Sequence, residues 1–216
     1  TTQQIANLTF SRQPKVLDVG ASDGSTSLDV MNALDLSYYC ITDLNAYVHC
    51  VEKGRWTYFF SQDGKPILAA SDRWIVYQDT KSAIPPFGSI ARMILRSSGK
   101  LFSQENMISI ELVNPAVRNR LGAQASFSTY DIFSCWPGEK VDLVLAANIL
   151  NRAYFSNHQI VEVLKNLRRA LNEDGRLVLI DNRQVEQSSI LKFGSQGVFV
   201  ESRVGSGSEV ESLALN

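Results

Sequence analysis

Long uninterrupted apolar runs are absent from this 216-residue chain. Because a membrane-spanning helix needs a run of about 20 apolar residues, no integral membrane segment is predicted. The first residues also lack the basic and then apolar pattern of a secretory signal. We therefore expect a cytoplasmic protein. The length and a hydrophobic content of 44% are those of an ordinary globular protein and predict a single domain over residues 1–216.

An excess of charge of either sign is also missing. The chain has 21 Lys and Arg against 22 Asp and Glu, which gives a formal net charge of -1 at pH 7. A surface that binds nucleic acid needs clustered positive charge to neutralise phosphates. No nucleic acid partner is therefore expected.

Cysteine and histidine are scarce. The 3 cysteines and 2 histidines show no spacing typical of a metal site. We therefore predict no bound metal, and we expect buried thiols in a reducing compartment.

A glycine turn follows the first apolar run of the chain. Residues 15–20 predict a strand that ends in glycine, and Ser25 to Leu34 predicts a helix. A second strand, residues 38–42, ends at Asp43. Glycine lets the backbone approach a ligand closely, and the helix start offers N–H donors. This order is the βαβ pattern that binds nucleoside ligands at the carboxyl ends of strands.

The alternation of strands and helices resumes later in the chain. It predicts an α/β fold whose strands are covered by helices on both faces. The predicted elements are strands at 125–130, 141–147 and 176–180, a helix at 158–171, and a terminal hairpin of strands 198–204 and 209–215.

The segment between Asp43 and Ala125 is far longer than one connecting helix requires. We interpret it as an insertion at about 47–107, with aromatic strands at 55–60 and 74–77 and an apolar helix at 89–102. Either it is an extra hairpin packed on the domain, or it is a lid over the site. The helix could also form a homodimer contact or lie on a membrane surface.

The chemistry around the turn favours one class of nucleoside ligand. A dinucleotide fingerprint has three glycines, whereas this turn has Gly20 and Gly24 in the matching region. Asp18, which lies before the first glycine, would repel a pyrophosphate. A carboxylate suits a ligand that carries an ammonium group and no phosphate.

These segments resemble the motifs of class I S-adenosylmethionine-dependent methyltransferases. Val16 to Gly24 is similar to the first motif of that family, and Asp43 matches its acidic residue after the second strand. Tyr130 to Phe133 resembles the third-strand motif. Val141 to Asn148 resembles the fourth-strand motif, and Leu171 to Ile180 resembles the approach to the fifth strand.

The resemblance implies a doubly wound, mostly parallel sheet of seven strands with an antiparallel last strand, and S-adenosyl-L-methionine as cofactor. It implies that Asp43 binds the ribose, that Asp131 binds the adenine amino group beside Ile132, and that Asp18 lies at the methionine end. The full set implied to bind the cofactor is Asp18, Gly20, Ala21, Ser22, Gly24, Asp43, Leu44, Asp131, Ile132 and Asn148.

The function implied is methyl transfer to a small-molecule, carbohydrate-linked or lipid-linked acceptor. Arg152 and Tyr154 follow the fourth strand and are expected to contact this acceptor. No catalytic residue is assigned. Asp181–Asn182 resembles the magnesium pair of catechol-type methyltransferases, but the aspartate required after the fourth strand is missing. The alternatives are a non-catalytic partner subunit that binds the same cofactor and, more distantly, an NAD-dependent oxidoreductase.

Overall fold

The computed structural model describes residues 2–77, 93, 95, 98–102, 107–182 and 185–215. It divides the chain into two compact units, one formed by Thr1–Leu44 with Val113–Asn216 and the other by Asn45–Leu112. The predicted insertion at 47–107 corresponds to the second unit. Each unit has buried side chains of its own. The single domain over residues 1–216 stays a prediction.

The first unit contains a mixed sheet of seven strands. Their bounds are β1 (Lys15–Val19), β2 (Tyr38–Asp43), β8 (Ala125–Thr129), β9 (Val141–Ala147), β10 (Leu171–Asn182), β11 (Glu186–Gly194) and β12 (Gly197–Val204). The spatial order is β12-β11-β10-β9-β1-β2-β8, and the five strands from β10 to β8 are parallel. This mostly parallel α/β sheet confirms the coarse fold that the sequence predicts.

Helices cover both faces of this sheet. They are α1 (Thr2–Ala6), α2 (Ser25–Ala33), α3 (Pro115–Arg118), α4 (Asn157–Ala170) and α5 (Glu211–Ala214). Helix α2 packs against α1 and α3, whereas α4 packs against α5 and strands β9 and β10. Two covered faces explain why β1 and β9 are buried along almost their whole length, although each contains an aspartate.

The last strands of the sheet differ from the prediction. Strand β11 was not predicted, and it pairs antiparallel with both β10 and β12. The antiparallel strand is thus the penultimate one, and the last strand runs parallel to β10. Only residues 183–185 connect β10 to β11, which is too short for the helical crossover that a parallel neighbour needs.

The prediction of a strand at 209–215 is also wrong. This segment contains a turn followed by helix α5, and Val210 and Leu213 pack into the core beside α4. The Glu211 carboxylate accepts hydrogen bonds from Arg203 and from Ser189 Oγ, which hold the helix against the sheet. Tertiary contacts therefore stabilise a helix in place of the predicted strand.

The second unit contains a five-stranded antiparallel sheet in the order β6-β5-β4-β3-β7. The strands are β3 (Tyr47–Lys53), β4 (Trp56–Phe60), β5 (Pro66–Ala70), β6 (Ile75–Tyr77) and β7 (Ile108–Glu111). Val51, Phe60 and Leu101 form its buried cluster. The helix predicted at 89–102 lies largely outside the described residues.

In the part of the chain that the structure describes, no helix is both long enough and apolar enough to cross a membrane.

The start of α4 provides a local test of the fold. Ser156 Oγ accepts a hydrogen bond from the Gln159 N–H at 3.3 Å, and Gln159 Oε1 accepts the Ser156 N–H at 2.9 Å. Because Ser156→Ala removes one half of this capping box, we expect it to lower the free energy of unfolding by about 1 kcal/mol in urea denaturation. Ser156→Asp keeps an acceptor and should lose much less. Equal losses in the two variants would contradict the capping role.

Candidate functional site

The candidate site lies at the carboxyl ends of the parallel strands. Strand β1 pairs with β2 on one side and with β9 on the other. The strand order runs outward from β1 through β2 to β8 on one side, and from β9 through β10 on the other, so it reverses between β1 and β9. Such a switch point leaves a crevice, which is where open α/β sheets bind ligands. The same edge carries the glycine turn after β1, Asp43 at the end of β2, and the loops after β8 and β9.

The glycine turn joins β1 to α2 through three left-handed residues. The φ angles of Gly20, Ser22 and Gly24 are +65°, +56° and +79°. Ser22 is the unusual member, because left-handed backbone is uncommon for a residue with a side chain. Gly24 occupies the N-cap position of α2 in this conformation.

Several N–H groups of the turn are already bonded within the protein. The Ala21 N–H donates to the Thr42 carbonyl at 3.0 Å, and the Gly24 N–H donates to the Ala21 carbonyl at 2.9 Å. The Ser22 N–H donates to Asp43 Oδ2 at 2.9 Å. Phosphate-binding turns instead direct such donors at the ligand. These donors therefore do not form a phosphate cradle here.

Asp23 adds a second carboxylate to the turn. Its Oδ1 accepts the Ser25 N–H at 3.0 Å, and its Oδ2 accepts from Ser25 Oγ at 2.9 Å. These hydrogen bonds lower the pKa of Asp23, so the carboxylate stays charged at neutral pH. Together with Asp43, this places negative charge on both sides of the turn.

Asp18 lies beneath the turn, in the interior. Its side chain is only 2% exposed, and Oδ2 accepts hydrogen bonds from Ser27 Oγ at 2.7 Å and from the Tyr39 hydroxyl at 2.9 Å. Desolvation by burial raises the pKa of Asp18 to about 6, and the two hydrogen bonds offset part of this rise. The carboxyl thus links β1, β2 and α2. Its contact with a ligand stays a prediction.

Gly20 faces a protein side chain. A Cβ built on Gly20 would lie 2.2 Å from Ile149 Cδ1, well inside van der Waals contact. The sequence explains this glycine by the approach of a ligand, whereas the structure adds the approach of Ile149. Ile149 is partly buried and packs against the main core.

Asp43 and Leu44 end strand β2. Asp43 is partly buried and fixes Ser22 through Oδ2, so its first role is to hold the turn. Leu44 is 57% exposed. Both lie at the carboxyl edge of the sheet, and their contact with a cofactor stays a prediction from the family resemblance.

The loop after β8 presents Asp131 to solvent. Asp131 Oδ1 accepts the Phe133 N–H at 3.0 Å, so its side chain caps a turn and no helix follows. Ile132 is buried in the main core, with 6% of its surface exposed. Asn166 of α4, which the sequence analysis missed, donates to the carbonyls of Ile132 and Phe133 at 3.3 and 2.9 Å.

Asn148 follows β9 with a left-handed φ of +58°. Its N–H donates to the Ile180 carbonyl at 2.8 Å, and its Oδ1 accepts the Asn182 N–H at 2.6 Å. These bonds tie the end of β9 to the end of β10. An asparagine after an apolar strand was the only sequence signal for this link.

The loop predicted to contact the acceptor is exposed. Arg152 is exposed and Tyr154 is 77% exposed. Glu209, another residue missed by sequence analysis, accepts the Arg152 N–H at 3.0 Å, and its own N–H donates to Asp181 Oδ2 at 2.8 Å. The C-terminal segment therefore holds this loop at the carboxyl edge of the sheet.

Within the described ranges, no group of three or more His, Cys, Asp or Glu side chains could hold a metal ion. Asp181 and Asn182, the pair compared with a magnesium site, instead bond to Glu209 and Asn148.

A cavity of about 960 Å³ lies at the opposite edge of the sheet, beside the amino ends of β1 and β2. Four of its charged lining residues form ion pairs, since Lys15 bonds to Glu139 and Arg12 bonds to Asp142 at 3.3 Å. Ligands of open α/β sheets bind at the carboxyl edge. We therefore place the candidate functional site at the carboxyl edge and not in this cavity.

Comparison with known proteins finds likeness at the level of structure alone. No family model matches the chain, and no curated protein matches it. An O-methyltransferase family protein from Burkholderia thailandensis has 14% identity and a TM-score of 0.42 over 83% of this chain. A methyltransferase in calicheamicin biosynthesis, in an SAH-bound form, has 16% identity and a TM-score of 0.42 over 83% of this chain.

The mitomycin 7-O-methyltransferase is a third example, with 17% identity and a TM-score of 0.41 over 84% of this chain. The chain spans 34–36% of the length of these three proteins. The fold assignment above depends on the strand order of this chain and not on these similarities.

The contact between Gly20 and Ile149 can be tested by a double-mutant cycle. Gly20→Ala adds a Cβ at a left-handed φ and forces it onto Ile149, so we expect a loss of about 2–5 kcal/mol in the free energy of unfolding. Ile149→Ala in the same chain should restore about 1–3 kcal/mol of that loss. Gly54→Ala is a matched control, because Gly54 has φ +64° and open space around its Cβ position. Strict additivity of the Gly20 and Ile149 changes would contradict the contact.

The buried Asp18 predicts a pH dependence of stability. A carboxyl whose folded pKa is about 6, against an ordinary 3.8, binds its proton more tightly in the folded state. The contribution of Asp18 to the free energy of unfolding is therefore fully present below pH 4. It is lost as the pH rises through 6, by about 3 kcal/mol at most. Asp18→Asn removes this titration but keeps an acceptor for Ser27 and Tyr39.

We therefore measure the free energy of unfolding of wild type and Asp18→Asn in urea between pH 4 and pH 8. As the pH rises, the difference between the two should change in favour of the variant. A gap that does not change with pH would contradict a raised pKa for Asp18.

Proposed function

We propose that this protein is an S-adenosylmethionine-dependent methyltransferase that uses the crevice between the glycine turn and the loop after β9. The observation that carries the proposal is the chemistry of the turn. Its carboxylates, Asp18 beneath it and Asp23 and Asp43 beside it, surround backbone donors that are already bonded.

Charge favours one of the candidate nucleoside ligands. A pyrophosphate needs unpaired N–H donors and positive charge, and the turn offers bonded donors and carboxylates instead. S-adenosylmethionine carries an ammonium and a sulfonium group and no phosphate. The field of three carboxylates therefore favours it over NAD.

The residues at the carboxyl edge fit the parts of this cofactor. We assign the ribose hydroxyls to Asp43, the adenine amino group to Asp131, and the ring to the exposed apolar side chain of Leu44. Ile132 would act from the core, by supporting the Asp131 turn. Asn148 lies at the crevice, where its polar side chain orders the β9 end.

When bound, S-adenosylmethionine supplies an electrophilic methyl group on its sulfonium. The protein then has to hold the acceptor in line and exclude water, since positioning accounts for much of the rate acceleration in such a displacement. The loop held by Glu209 carries Arg152 and Tyr154 to the same edge. We assign to them the orientation of a small-molecule, carbohydrate-linked or lipid-linked acceptor.

Titration calorimetry tests the cofactor assignment. We expect micromolar binding of S-adenosylhomocysteine and no heat with NAD. Asp43→Ala should weaken the binding by about 1–3 kcal/mol, because a charged hydrogen-bond acceptor is lost. Asp29→Ala is the matched control, since Asp29 is an exposed aspartate on α2.

Three results of this titration would change the assignment. Absence of binding would overturn the proposed function. An unchanged affinity in Asp43→Ala would contradict the role of that residue. Tight binding without turnover of any acceptor would favour the non-catalytic partner subunit.

A further inference from the structure

Ile149 occupies the space into which a side chain at Gly20, the first glycine of the turn, would project. It follows Asn148 at the carboxyl end of β9, directly beside the end of β1. A Cβ built on Gly20 would lie 2.2 Å from Ile149 Cδ1 and 3.1 Å from Ile149 Cγ1. The tip of this aliphatic side chain therefore covers the backbone of the first glycine.

The backbone on both sides of Ile149 is fixed. On one side, Asn148 bonds to the Ile180 carbonyl and to the Asn182 N–H. On the other side, Leu150 is 3% exposed and belongs to the main core. The backbone therefore cannot carry Ile149 away from Gly20 without breaking these contacts.

The side chain of Ile149 has more freedom than its backbone. It is only partly buried, so one side of it is not enclosed by the core. A β-branched residue is stiff about χ1, but rotation about χ2 alone moves Cδ1 away from the position it now holds. The atom that covers Gly20 is thus the atom that moves most easily.

We propose that Ile149 is a side-chain gate that sets the affinity and selectivity of the crevice for its nucleoside ligand. This inference rests on the proposed function. In the closed position, Cδ1 covers Gly20, and a ligand that approaches the turn must displace it. An apolar tip at this point also disfavours a phosphate group, which would lose water without gaining a partner.

When only a fraction of the protein molecules is in the state that can bind the ligand, the apparent affinity is reduced in proportion to that fraction. Removing the gate should therefore tighten binding. Ile149→Val deletes only Cδ1, the atom nearest to Gly20, and keeps the β-branch. Ile149→Ala also deletes Cγ1 and Cγ2. Ile190→Val is the matched control, because Ile190 is a fully buried isoleucine of β11.

The experiment measures S-adenosylhomocysteine binding to the full chain by calorimetry, and its association and dissociation rates by stopped flow. We expect roughly fivefold or tighter binding in Ile149→Val and Ile149→Ala, with most of the gain in the association rate. Ile190→Val should bind like the wild type. Thermal unfolding of every variant shows that each one is folded.

The outcomes separate the gate from the function. If the wild type binds and the Ile149 variants bind no more tightly, the gate is overturned and the proposed function stands. A gain in Ile190→Val equal to that in Ile149→Val would also overturn the gate, since it would reflect a loosened fold. If no protein in the series binds, the proposed function and the gate both fail. Binding by the variants alone would support a gate that is closed in the wild type.

Discussion

The buried Asp18 carboxylate connects the elements that form the site. It lies on β1, and its two partners, Ser27 and Tyr39, belong to α2 and β2. Because a buried carboxylate costs free energy unless donors surround it, these three elements must keep their relative positions for the group to stay satisfied. The glycine turn between β1 and α2 is therefore fixed from below.

Above that carboxylate, the turn is organised by further anions. Asp43 and Asp23 accept hydrogen bonds from N–H groups that a phosphate would otherwise need. The same hydrogen bonds that hold the turn therefore also disfavour a phosphate ligand. Ile149 lies against Gly20 at the end of β9. The proposed site thus combines carboxylates that favour a cationic nucleoside with an apolar side chain at the first glycine.

The C-terminal part of the chain shows where sequence patterns were insufficient to predict secondary structure. The glycine turn, β9 and α4 were predicted because glycine spacing and apolar periodicity are local signals. Strand β11 was missed, although a short connection after Asn182 already requires an antiparallel neighbour. The 209–215 segment was assigned to a strand, but α4 offers an apolar surface that stabilises a helix there.

The sequence by itself determined the order of strands and helices around the turn and the residue types at the carboxyl edge, because these depend on local spacing. Only the tertiary structure decided which groups meet there. Asp18 turns inward to Ser27 and Tyr39, Asn148 clamps β10, and Ile149 covers Gly20. Such contacts join residues far apart in the chain, and they depend on strand order and side-chain direction, which one-dimensional patterns do not contain.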